Sequence, residues 1–192
     1  MRIEVASHAT HGRKHGVTFA DTWQASDGAT IGALGAVLEG GDATAVIDLM
    51  RTGARAVLTS RNTLGNALAA LDRIVRHHAH ERRDDDLAAA MLLIALDPHN
   101  DELLLAGAGQ LHAAIVDGAG TSHPLHGHAV ALGTGIAGPV DLQRLRLRRD
   151  DAIVAATVPV PAGWWTAANR SAETLVAHAG VPEASALLVL PA

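Results

Sequence analysis

The stretch that most constrains how this chain can fold is Leu87 to Asp117, LAAAMLLIALDPHNDELLLAGAGQLHAAIVD. It predicts three successive strands running as a meander. The first is the apolar run Leu87 to Leu96, closed by Asp97-Pro98-His99-Asn100-Asp101. Pro pre-sets φ and Asx side chains bond the nearby backbone, so this segment is a turn. Glu102 to Ala106 is the second strand, and a Gly107-Ala108-Gly109 break leads into the third, Leu111 to Val116. Strands this uniformly apolar are covered on both faces, which makes them central strands of a layered domain.

The other elements fall beside or over that block. Arg2 to His8, Val17 to Gln24 and Ala29 to Leu38 read as strands, the last two joined by a hairpin at Ser26-Asp27-Gly28. Asp42 is placed to cap a helix running to about Leu58, in which Ala43, Val46, Ile47, Met50, Ala54 and Val57 recur at helical spacing. A second helix presents Leu64, Leu68, Leu71, Ile74 and Val75 on one face and frays into the His77 to Arg83 segment. Thr121 to Leu125, Arg144 to Leu147, Ala152 to Val158 and Ala186 to Leu190 are further strands. Ala167 to Ala179 is a third helix, stopped by Gly180 and Pro182. Two helices back to back, among many strands, do not alternate as a parallel α/β sheet requires. The expected class is α+β, a layered sandwich in one domain over residues 1–192.

Composition narrows the function. There is no Cys among the 192 residues, which removes disulfides and thiolate metal sites and suits a reducing compartment. A net charge of −5 with scattered signs argues against a nucleic-acid surface; the one basic cluster, Arg144, Arg146, Arg148 and Arg149, alternates along a strand edge. No apolar run reaches the ~20 residues of a membrane-spanning helix, and the N-terminus reads as a strand rather than a signal peptide. A cytoplasmic location with no membrane partner is expected.

Taken in order, these pieces resemble the PPM-type, metal-dependent serine/threonine phosphatases, in the bacterial branch that includes SpoIIE, RsbU and RsbX. The Asp97-Pro98 turn between two strands and the following Ala108-Gly109-Gln110 resemble that family's Asp-Pro and Ala-Gly-His/Asn elements. The Asp42 helix matches the one placed after its Asp-x-x-Gly-x-Gly loop, and Leu132-Gly133 matches a later Leu-Gly element. The resemblance implies an α-β-β-α sandwich of two antiparallel sheets flanked by helices, with two manganese or magnesium ions held by carboxylates between the sheets, lowering the pKa of a bound water and clamping a phosphate. Hard cations take oxygen ligands, so each ligand position calls for Asp. Carried onto this sequence, the first position falls at Asp21. The bridging position falls at Ala36, the Thr-Asp-Gly position at Val158 (within Thr157-Val158-Pro159), and the last at Glu183. Two apolar residues at ligand positions leave Asp21 and Glu183 as vestigial carboxylates. The implied function is therefore a pseudophosphatase: no cofactor, no catalytic residue, and a regulatory role in bacterial stress or sigma-factor signalling. Its partner class, a STAS-domain antagonist or a switch kinase, rests on the resemblance alone. The alternative is an active manganese- or magnesium-dependent phosphatase with relocated ligands drawn from Asp21, Glu39, Asp42 and Glu183, helped by His11 or His15.

Other groups have simpler readings. His123, His126 and His128 could bind zinc or nickel, with an oxygen from Asp117 or Asp141, but a solvated loop in a chain with twelve His explains them. His77, His78 and His80 suit the C-terminal end of a helix dipole. The glycine-rich segments lack the Gly-Lys-Ser/Thr ending of a phosphate loop. Trp164-Trp165, two of only three Trp, is the candidate partner-binding anchor, or an interface between copies of the chain.

Overall fold

The computed structural model describes residues 1–7, 17–97, 99, 102–125, 130–136, 140, 142–160, 171–179, 181 and 183–191, with Asn62 described for its backbone alone. His8, His11, His15, His126, His128, Asp141, Trp164 and Trp165 lie outside them. Ten strands and three helices follow in the order β1 (Arg2–Ser7), β2 (Thr18–Gln24), β3 (Thr30–Glu39), α1 (Ala43–Val57), α2 (Leu64–Arg82), β4 (Ala88–Leu96), β5 (Glu102–Ala108), β6 (His112–Val116), β7 (Ser122–Leu125), β8 (Gln143–Arg146), β9 (Ala152–Ala156), α3 (Ala172–Ala179) and β10 (Ser185–Leu190). A 3₁₀ turn, Arg61–Thr63, leads into α2.

The strands form two five-stranded sheets, β1-β10-β9-β6-β7 and β2-β3-β4-β5-β8, in which every pairing is antiparallel. They stack face to face over Leu34, Leu92, Ile94, Leu103, Leu105, Ile153, Leu187 and Val189. α1 and α2 cover the outer face of the β3–β4 sheet, burying Val46, Ile47, Met50, Leu68, Leu71 and Val75 against Ile31, Ala33, Met91 and Leu93. α3 covers the other sheet, with Leu175 and Val176 over Val154, Ala156 and Leu188. This is the layered α+β class expected from the order of elements, in the α-β-β-α arrangement that the family resemblance implied.

The meander expected over Leu87–Asp117 holds for its first two strands only. β4 pairs with β5, but β6 pairs with β7 and β9 in the opposite sheet. The chain changes sheets after Gly109, whose φ of +73° carries it round against β4. A Cβ there would lie 2.8 Å from that of Ala90, so a glycine fits where a larger residue would not. The predicted fraying of the second helix is also corrected. α2 continues through His77, His78 and His80 to Arg82 and ends at Arg83 in the left-handed conformation, whose N–H bonds back to Ala79 and His80.

Candidate functional site

The β2–β3 hairpin sets the geometry of the cleft. Gly28 (φ +81°) closes the turn, and the pairing runs unbroken from Gln24 opposite Thr30 to Thr18 opposite Ala36. Side chains alternate along β3. Ile31 and Ala33 face the helices, Leu34 faces the other sheet, and a Cβ on Gly32 would meet Leu187 and Ile3 of that sheet. Ala36 therefore turns its methyl into the space between the sheets, with Thr18 on one side and Ala90 on the other.

Hydroxyl groups fill the neighbourhood of Ala36. The Thr18 Oγ1 donates to the Glu183 carbonyl oxygen at 2.5 Å and lies 2.8 Å from Ser185 Oγ. Ser185, fully buried, donates to Ser7 Oγ at 2.9 Å, and Ser7 Oγ accepts the Ala20 N–H at 3.0 Å. On the other side of β10 the Ser185 N–H donates to Thr157 Oγ1 at 3.0 Å, while the Thr157 N–H returns to the Ser185 carbonyl. Hydroxyls from β1, β2 and β10, and from the end of β9, thus join the two sheets in one network.

The carboxylates singled out from sequence are dispersed. Asp21 is three residues beyond Thr18 and projects from the opposite face of β2, alongside Phe19 and Trp23, which pack under the helices. Its oxygens accept a bidentate pair from Arg55 of α1, Nε at 3.0 Å and Nη2 at 2.9 Å, and the guanidinium lies 5.5 Å from the Trp23 ring centre. Asp42 is the N-cap of α1 and accepts the Thr44 and Ala45 N–H groups at 3.1 and 3.3 Å. Glu39 is exposed at the bulged end of β3. Glu183 precedes β10 at φ +71°, its carbonyl engaged by Thr18. Val158 packs with the core beneath α3 instead of lining the cleft. Among the described residues, no three His, Asp or Glu side chains converge as a metal would require.

That donor set does not fit a pair of hard cations. A divalent ion surrenders strongly held water only for several anionic oxygens. Beside Ala36, among the described residues, it would meet a methyl and neutral hydroxyls already bonded to one another. Nor do the described parts of the His-rich segments supply a substitute. His123 lies 3.4 Å from Asp117, a carboxylate already accepting the Ala119 and Thr121 N–H groups.

Reading along the sequence missed Thr18, Ser7, Thr157 and Ser185. The signal for Thr18 was present: once the Asp27-Gly28 turn is fixed, hairpin pairing puts Thr18, not Asp21, opposite Ala36. The others depend on contacts between distant strands. Also unforeseen is Asp72 of α2, fully buried, whose carboxylate accepts the N–H groups of Gly133 (2.9 Å), Gly135 (3.2 Å) and Ile136 (3.0 Å) and pairs with Arg76 Nε at 3.0 Å. It fixes the segment after β7 against the helical layer.

Comparison with solved structures agrees with this architecture. The Streptococcus "S. agalactiae serine/threonine phosphatase" superposes with a TM-score of 0.76 at 14% identity, over 98% of this chain and 99% of that one. RsbX in complex with magnesium gives 0.69 at 9% identity, over 97% and 92%. The RsbU and RsbW domains of Rv1364c from Mycobacterium tuberculosis give 0.70 at 20% identity, over all of this chain and 62% of that one. At such identities the likeness is one of fold. No curated protein matches the sequence. The family model for stage II sporulation protein E, however, matches residues 39–158, from the end of β3 past β9. That span is more than half of the chain and contains the β4–β5 block, and it establishes that the protein belongs to the SpoIIE family, on the fold of the PPM-type serine phosphatases.

Proposed function

We propose that this protein is a pseudophosphatase of the SpoIIE family: a protein-binding regulatory domain that engages a signalling partner without hydrolysing its phosphoester. The observation that carries the reading is the replacement at the centre of the cleft. Ala36 stands where the family resemblance calls for the bridging Asp, and the residue across from it, Thr18, is committed to a hydroxyl network with Ser185 and Ser7. Two-metal hydrolysis needs concentrated negative charge to hold the ions and activate water; the described residues of this cleft offer methyl and hydroxyl groups.

The setting proposed is bacterial stress or sigma-factor control in the cytoplasm. Among the described residues no helix is long and apolar enough to cross a membrane. Similar folds occur in a structure of the bacterial stressosome and in the RsbU and RsbW domains noted above. A STAS-domain antagonist or a switch kinase is the partner class proposed, engaged in competition with an active phosphatase, with Trp164 and Trp165 as candidate anchors.

The test measures metal content and hydrolysis on one preparation. Manganese titrated calorimetrically is expected to bind no tighter than about millimolar, a ~4 kcal/mol affinity. Neither p-nitrophenyl phosphate nor a phosphoserine peptide should be hydrolysed in manganese. Manganese-dependent turnover that disappears in Asp21→Ala or Glu183→Ala would overturn the proposal in favour of a phosphatase with relocated ligands.

A further inference from the structure

β8, Gln143–Arg146, is the terminal strand of its sheet among the described residues, where it pairs with β5: Leu145 lies opposite Leu103 and Arg144 opposite Leu104. In an antiparallel ladder, alternate residues of such a strand turn their N–H and C=O groups outward, away from the strand they pair with. The side chains divide cleanly. Leu145 and Leu147 pack into the core between the sheets, while Arg144, Arg146 and Arg148 are exposed on the opposite side and Arg149 is exposed just beyond.

Among the described residues the positive charge along this edge is weakly compensated. Arg144, 70% exposed, pairs with Glu102 at 3.9 Å. Arg146, Arg148 and Arg149 make no ion pair among the described residues. A single charge is enough to discourage unwanted edge pairing. Two arginines on this edge and two more in the turn just beyond it, in a chain whose net charge is −5, exceed that need. Guanidinium groups two residues apart along a strand repeat every ~7 Å. A strand laid alongside presents every second side chain at the same interval, so acidic residues at alternate positions would each meet an arginine.

We propose that the β8 edge is a docking site for an extended acidic segment of a partner protein, added to the sheet as a further strand beside β8. Main-chain bonds would supply the alignment, and arginine–carboxylate pairs the selectivity. This names a binding surface for the regulatory reading above, yet it is tested by peptide binding rather than hydrolysis, so the two can fail separately.

The experiment uses the full chain and a fluorescent peptide with Glu at alternate positions and Thr between. Controls are its isomer with all Glu in one block, duplex DNA, and phosphatidylserine vesicles. The alternating peptide is expected to bind about tenfold more tightly than its isomer, and to slow amide exchange at Gln143–Arg146. The variant R144E/R146E/R148E should lose that binding and gain affinity for the corresponding alternating-Lys peptide, a gain that only a folded edge can show. Equal binding of the two isomers, equal binding of DNA or vesicles, or unchanged exchange along β8 would overturn the proposal.

Discussion

Asp72 and Asp21 show how differently two carboxylates can be used in one domain. Asp72 is enclosed and satisfied by three backbone N–H groups and Arg76. Replacing it with Asn puts an amide donor among donors, and the expected loss is about 3 kcal/mol, read as a lower urea midpoint with an unchanged slope. Asp21, by contrast, holds α1 through a half-exposed arginine, an arrangement worth at most about 1 kcal/mol. Asp117 lies at the turn between β6 and β7. The Thr121 N–H bonded to its carboxylate, reinforced by His123 and the Ala119 N–H, holds its pKa below the ordinary 3.8. Because the folded value is the lower one, the turn gains from ionised Asp117 above that ordinary value and loses the gain as pH falls through the folded pKa. An NMR titration should place the Asp117 midpoint below that of a free aspartate, and Thr121→Pro should raise it; a midpoint at the ordinary value would refute the assignment.

At the scale of elements, β2 and β3 are matched through one close contact. A Cβ on Gly35 would lie 2.3 Å from the Phe19 ring, and Phe19 is 1% exposed beneath Arg51 of α1. Gly35→Ala is therefore expected to cost about 2 kcal/mol by overpacking. Pairing it with Phe19→Leu should recover part of that loss, a coupling that thermal melts of the double-mutant cycle would measure. The elements themselves were largely legible. Hydrophobic period located α1 and the buried face of α2, and the Asp27-Gly28 and Asp117-Gly118 turns both close hairpins. The sheet each strand joins was not. Leu111–Val116 has the same apolar character in either sheet, and the crossing after Gly109 depends on its close approach to Ala90.

Taken whole, the molecule ties its two sheets together with hydroxyls. Thr18, Ser185, Ser7 and Thr157 bridge β1, β2, β9 and β10, leaving the fold independent of divalent ions under the proposed reading. Chelation with EDTA should accordingly leave the melting temperature unchanged, whereas Ser185→Ala should lower stability by about 1–2 kcal/mol through its broken hydroxyl bonds. A melting temperature that rises with manganese would count against that independence.

What the sequence determined by itself was local. Apolar runs, turn residues and helical periodicity fix which segments are strands and helices, and the lack of alternation between them fixes the layered class. The bridging role of position 36 stays a proposal that rests on the family resemblance. Tertiary structure decided which face each side chain uses and which distant strands meet. A shift of three residues along β2 separates Thr18 in the cleft from Asp21 beneath the helices, and only the paired sheets reveal on which side of that boundary a residue falls.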